Sequence, residues 1–166
     1  AVVNGCPAAS YAGGDGSGGD PFQIETCTQL QMMCNDLTKS YKLTGDIDCS
    51  GTTAWNSGEG FDPIGIEFGN SFYGSFDGNG YTISDLFIDR PTEDNIGLFG
   101  YIEGATVQDF GLTSVDITGN SYVGSLVGGN EGGAVNRVYA TGTVTGNSNY
   151  VGGLCGLINN NITNCY

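Results

Sequence analysis

The sequence predicts an all-β fold, a parallel β-solenoid (β-helix) with one short N-terminal capping helix. Three observations carry this: a Gly-rich phrase that recurs, short apolar strands between Gly and Asn turns, and a single segment with helical periodicity. Ile96-Gly97-Leu98-Phe99-Gly100 returns as Val123-Gly124-Ser125-Leu126-Val127-Gly128. It returns again as Val151-Gly152-Gly153-Leu154-Cys155-Gly156, with starts 27 and 28 residues apart. Periods of this size mark stacked repeats, in which no repeat buries its apolar face alone and stacking makes one continuous core. An antiparallel sandwich would supply short strands but not the recurrence.

Taken in order, residues 1–20 are small and Gly-rich and read as a flexible arm. Residues 21–60 hold the capping helix and the first strands. Phe22-Gln23-Ile24 alternates like a strand. Thr26-x-x-Gln29 then has the capping-box pattern of a helix start. Leu30, Met33, Cys34 and Leu37 follow at the spacing of a buried helical stripe, and Lys39 suits a helix C-terminus. Tyr41, Leu43, Ile47 and Cys49 return to two-residue alternation and are expected on one face. Residues 61–166 are the repeats. Behind each Gly-rich phrase sits a second strand: Val107–Phe110, Val135–Val138 and Ile162–Cys165. A third, Val115–Gly119, has its counterpart in Thr143–Gly146. Phe72–Phe76 with Ile83–Leu86 is an earlier, more divergent copy.

At these residues the chain resembles the GLUG-repeat family of bacterial surface and adhesin-type proteins. Tyr139-Ala140-Thr141-Gly142-Thr143-Val144-Thr145-Gly146 and Val151-Gly152-Gly153-Leu154 carry the likeness. So do Gly19 to Ile24, Tyr41 to Asp48 and Phe76 to Ile83 upstream. The resemblance implies a right-handed solenoid at the cell surface, found in adhesins or beside the catalytic domain of surface proteases. It offers no catalytic motif to carry over. The extra cysteines depart from the family pattern.

Composition narrows the function. Four Lys and Arg stand against 18 Asp and Glu, a net charge of −14. Nucleic acid is excluded as a partner, because neutralising phosphates needs clustered basic side chains. No apolar run reaches the roughly 18 residues of a membrane span, so membrane insertion is not expected. Histidine is absent, which removes Ser-His and Cys-His nucleophile pairs and His-ligated metals. A chain starting at Ala1 without a signal-like segment reads as a processed or excised one.

Six cysteines, Cys6, Cys27, Cys34, Cys49, Cys155 and Cys165, without a Cys-x-x-Cys pair, point to disulfides and an extracellular, oxidising location. Cys155–Cys165 is the pairing expected first. The other four allow three connectivities, and short loops favour Cys6–Cys27 with Cys34–Cys49. Asn161-Ile162-Thr163 is a glycosylation sequon.

No cofactor is expected. Asp15, Asp20 and the Asp77-Gly78-Asn79 turn are the only calcium candidates, and each fits Gly-rich turn chemistry better. Asp46 and Asp48, two apart on one strand, are the only paired carboxylates available to a polysaccharide-cleaving enzyme. Among Phe68, Phe72, Tyr73, Tyr81, Tyr101 and Tyr122, the ligand-contact candidates singled out are Tyr73 and Tyr101, which could stack on a surface glycan.

The leading expectation is a non-enzymatic extracellular structural protein that self-associates end to end, as a fibre or surface-layer subunit. Its partners would be copies of itself, because the last residues are still repeat and lack a polar cap. The alternative is an adhesin stalk or glycan-binding module of a larger surface protein.

Overall fold

A computed structural model describes residues 6–160 and 162–166. Asn161, the sequon residue, lies outside them. The fold is a β-solenoid of parallel sheets. Strand β1 (Phe22–Ile24) pairs with β2 (Ser40–Leu43), β2 with β4 (Ser75–Asp77), β4 with β8 (Thr106–Gly119) and β8 with β10 (Ala134–Gly146). β10 in turn pairs with β12 (Ile162–Thr163). Parallel pairing between segments about one repeat apart is what a stack of coils requires, because each coil returns in the same direction.

The long strands bend around the molecule. β4, β5 (Thr82–Ser84) and β6 (Phe87–Asp89) lie against successive thirds of β8, at Thr106–Gln108, Gly111–Thr113 and Asp116–Thr118. β3 (Ile47–Asp48) continues this stack above β5. A second parallel sheet, β7 (Phe99–Glu103), β9 (Val127–Glu131) and β11 (Cys155–Ile158), comes from the Gly-rich phrases and forms another side. The recurring phrase is therefore one rung repeated at equivalent positions.

Corners are made by residues in the left-handed region, and they too form columns. Asp109, Arg137 and Asn164 have φ of 64°, 53° and 55°; Asn95, Tyr122 and Tyr150 have φ of 60°, 55° and 61°. Asn and Asp tolerate this conformation, and stacked neighbours hold Arg and Tyr in it. The Arg137 guanidinium pairs with the Asp109 carboxylate directly above it in the column. Gly128 shows why glycine recurs beside the anchors: a Cβ there would lie 2.6 Å from the backbone of Asn95.

Inside, apolar side chains form one core. Phe72, Phe76, Phe99, Ile83, Leu98, Ile117 and Leu126 are fully buried. The Phe76 ring lies 5.8 Å from Phe99 and 5.1 Å from Phe110, so opposite walls meet across the interior. Tyr41, Leu43, Ile47 and Cys49 are buried on one face, as their alternation predicts.

The capping helix is shorter than its stripe suggests. α1 spans Cys27–Gln31, followed by a 3-10 turn at Met32–Asn35, so regular structure stops before Lys39. Thr26 is the N-cap, its hydroxyl accepting from Gln29 N–H. The Gln29 side chain reaches back to Glu25 N–H, so the capping box closes one residue early. Residues 36–39 leave the helix because their backbone serves the solenoid: Leu37 C=O accepts from Tyr73 and Gly74 N–H.

Two disulfides are present, with a connectivity other than the one short loops favour. Cys6 bonds Cys34 and Cys27 bonds Cys49, at Cα separations of 5.7 and 5.3 Å. Cys27 opens the helix and is buried in the core with Cys49, whereas Cys34 sits half-buried within the 3-10 turn. Cys155 and Cys165 are not bonded in the structure. Cys155 is buried one rung below Val127 and serves as a small apolar side chain there, while Cys165 is half-buried against the core with its Sγ 3.4 Å from Val138 N.

Candidate functional site

The two ends of the solenoid differ, and the difference is the most informative feature of the molecule. At the N-terminal end the outer edge of β1 is covered. Ala12 N–H donates to Gln23 C=O at 3.0 Å, and Gln23 N–H donates to Gly13 C=O at 2.8 Å. Tyr11 stacks on Phe22 with ring centroids 4.4 Å apart, and its hydroxyl donates to Met32 C=O. The Gly-rich stretch expected as a free arm is thus packed into a cap from Tyr11 onward, and Cys6–Cys34 fastens its start. Gln31, which no sequence pattern distinguishes, is buried in this cap. Its amide donates to Asp62 C=O and accepts from Asp62 N–H, both at 2.8 Å, joining helix to coil.

At the C-terminal end the sheet stays open. β10 is paired with β8 along its whole length, but β12 meets it only at Val135 and Asn136. Tyr166 adds two hydrogen bonds, to Val138 and Ala140. Beyond them, residues 141–146 have no strand on their outer side among the described residues. Below this edge lies a cavity of about 460 Å³ lined by Val115, Ala140, Val144, Val151, Leu154 and Tyr166, together with Ser125. The Ser125 side chain is fully buried and its Oγ has no hydrogen-bond partner.

Charge is also distributed unequally. From Val138 to Tyr166 there is no Asp, Glu, Lys or Arg, so all the charge of a −14 chain lies at or before Arg137. Among the described residues, four of the seven exposed large apolar side chains, Tyr150, Val151, Ile158 and Tyr166, fall in this uncharged tail, Tyr166 being 83% exposed. A charge-depleted, aromatic surface has the composition of an interface core.

The other candidate residues are dispersed. Asp46 Oδ1 accepts from Thr82 N–H and hydroxyl, at 2.8 and 3.1 Å. Asp48 accepts from Ser50 N–H, which holds its carboxyl below the usual range. Asp46 ties its coil to the next through Thr82 and Asp48 serves its own turn, and the lowered pKa of Asp48 is the opposite of what a general acid needs. Asp15 likewise accepts from Ser17 N–H within its loop. Tyr73 is 39% exposed. Tyr101 lies over Gly129 and donates its hydroxyl to Glu131 at 3.1 Å, so its polar end is already engaged. Phe72 is in the core and Phe68 is exposed. Tyr122 stacks on Tyr150 at 4.8 Å, part of a corner column.

Against known families, the profile described as the GLUG motif matches residues 119–145, the stretch from the third side of one coil through the same side of the next. At these residues the chain carries the GLUG motif. It is 44% identical over 151 residues to halomucin of Haloquadratum walsbyi, covering 86% of this chain and 2% of that protein. It is 40% identical over 130 residues to a Gly-rich membrane protein of Evansella cellulosilytica, covering 74% and 15%. The chain therefore spans a small part of the length of the relatives it matches. A solved chain from Bacteroides ovatus that carries an immunoglobulin A1 protease name superposes with a TM-score of 0.62. It is 18% identical, covering 80% of this chain and 40% of its own, and the likeness is one of fold. No helix of the described residues is long and apolar enough to cross a membrane.

Proposed function

We propose that this GLUG chain is a non-enzymatic structural protein of the cell surface, which associates end to end into a fibre or surface layer. The observation that carries the reading is the asymmetry of the ends: one closed by arm, helix and disulfides, the other an uncharged open rung. A contact between unlike ends does not close on itself and continues as a filament. The acidic flanks keep neighbouring filaments apart in solution. The dispersed carboxylates support a non-enzymatic role, and the disulfides and the membrane-protein name of one relative support an extracellular one.

Electron microscopy of the purified 166-residue chain tests this. Regular filaments with a single-molecule axial repeat are expected; monodisperse monomers at high concentration would refute self-association. A second reading, a stalk segment within a larger surface protein, is favoured by the length of the relatives. There the open rung would receive the next coil of the same polypeptide, with Tyr73 and Tyr101 as the available glycan contacts.

A further inference from the structure

We propose that the flank of the solenoid carries a docking site for a basic polypeptide segment, built from the loop at 66–70 and the acidic cavity beside it. The site lies in the middle of the stack and is independent of the end-to-end reading above.

The loop is not needed by the coil that carries it. One rung above β7, Ile64 N–H donates to Leu98 C=O, and Tyr101 N–H donates to Gly65 C=O. Phe72 N–H then donates to the carbonyl of the same Tyr101, so the rung resumes at Phe72 as though the residues between were absent. β7 and β9 run through the equivalent position without interruption. Ile66 to Asn70 are instead all exposed, and hydrogen bonds fix their shape. Ile66 N–H donates to Asn70 C=O, the Ser71 hydroxyl to Glu67 C=O, and the Asn95 amide to Ile66 C=O. Phe68, within this loop, is 70% exposed. Outside the uncharged tail, the exposed large apolar side chains among the described residues are Ile66, Phe68 and Tyr73, all within eight residues of sequence. An ordered loop that leaves its rung and holds apolar side chains in water has the form of a binding element.

The cavity supplies charge. About 510 Å³ opens between the loop and the corner at 93–96, lined by Asp62, Glu67, Glu93 and Asp94 together with Ile66 and Ile96, and by no Lys or Arg. Arg90 lies behind this wall, 8% exposed. Its guanidinium is aimed at two of the lining carboxylates, reaching Asp62 at 3.4 Å and Glu93 at 3.2 Å. One guanidinium against four carboxylates leaves the cavity negative, and a concave wall of one sign focuses its field on what enters. The Arg90 Nε is buried without a partner, so the guanidinium is short of one acceptor.

These features select a polypeptide. Among the described residues no three acidic groups converge closely enough to hold a metal ion. Spread carboxylates beside an apolar loop match an extended segment in which a Lys or Arg enters the cavity and an apolar neighbour packs on Phe68. Such a segment also carries backbone acceptors, which a bare cation does not. A second copy of this chain is the wrong occupant. Arg90 and Arg137 are held in ion pairs of their own molecule, which leaves Lys39 and Lys42 against 18 acidic residues.

The test is fluorescence anisotropy at physiological ionic strength with the labelled peptide Gly-Lys-Leu-Arg-Leu-Lys-Gly. The double variant Glu67→Gln with Phe68→Ala changes only exposed loop side chains, and Asp116→Asn removes the same charge from an exposed position on β8. Circular dichroism checks that both remain folded. Saturable binding to the unaltered chain is expected, weakened about tenfold or more by the double variant and less than about twofold by Asp116→Asn. Amide NMR shifts on adding the peptide should cluster at 62–70 and 93–96. Equal weakening by both variants, or shifts spread over the acidic flanks, would show general attraction to a negative surface and overturn the site. Displacement of the peptide by an equal concentration of spermidine would reduce it to a site for any cation and overturn the polypeptide. Absence of binding to the unaltered chain would overturn it outright, whatever filaments that chain forms.

Discussion

Cys155 shows how position in the stack governs a side chain's chemistry. It occupies the rung of Phe99 and Val127, and burial, helped by the nearby Cys165, pushes its thiol up to about 12 from an ordinary 9.0. The folded protein therefore keeps this proton after the unfolded chain has lost it. The associated stability is fully present below pH 9 and declines as the pH rises from about 9 to 12. Cys155→Val, which places there the residue of the coil above, should remove that part of the alkaline decline and leave neutral stability nearly unchanged. Denaturation midpoints of the two proteins between pH 7 and 11 check this; parallel curves would show that the thiol is not titrating from the core. The cysteine count signals disulfides in general, but the count cannot separate bonded from packed cysteines. That depends on which rung each occupies, and Cys155 replaces a core valine.

At the scale of elements, the regular repeats and the start of the capping helix were legible, and the rest of the cap was not. The phrases at Ile96, Val123 and Val151 identify their rung because every coil needs the same small and apolar residues where its neighbour passes. The strands behind them follow from the same period. The cap obeys no period: Gly13 and Ala12 cover β1 through backbone atoms alone, and Gln31 binds Asp62 through a contact 31 residues away in sequence. The uncharged run from Val138 was visible in the residues, but its meaning needed the open edge it lies along. Because a solenoid couples mainly neighbour to neighbour, damage to the cap should remain local. Replacing both Cys27 and Cys49 by Ala opens a loop with a sequence separation of 22 and should cost roughly 3 kcal/mol. Hydrogen exchange should accelerate first at β1 and α1, with β9 protected. Uniform acceleration through β9 would mean that the molecule unfolds as one unit.

For the whole molecule, the unlike ends predict that a further coil is accepted on one side of the stack and not on the other. Tyr166 stands one coil after Tyr139, and the two rings stack with centroids 5.4 Å apart. A chain continued after Tyr166 by a copy of residues 140–166 would therefore stay in register. The added coil would cover Val144 and Leu154, fill the cavity, and pair the free edge at 141–146. Burial of apolar area at about 25 cal/mol per Å² favours this, and the new coil needs no cap different from the present one. Its addition should raise Tm by roughly 5 °C. The same 27 residues placed ahead of Ala1 meet a β1 edge already occupied by Ala12 and Gly13 and should leave Tm unchanged. Thermal melts of the two extended chains read the difference directly. Equal stabilisation from both ends would show that the cap is displaceable; no gain from the C-terminal addition would show that the last rung does not accept a coil, removing the basis for both fibre and stalk.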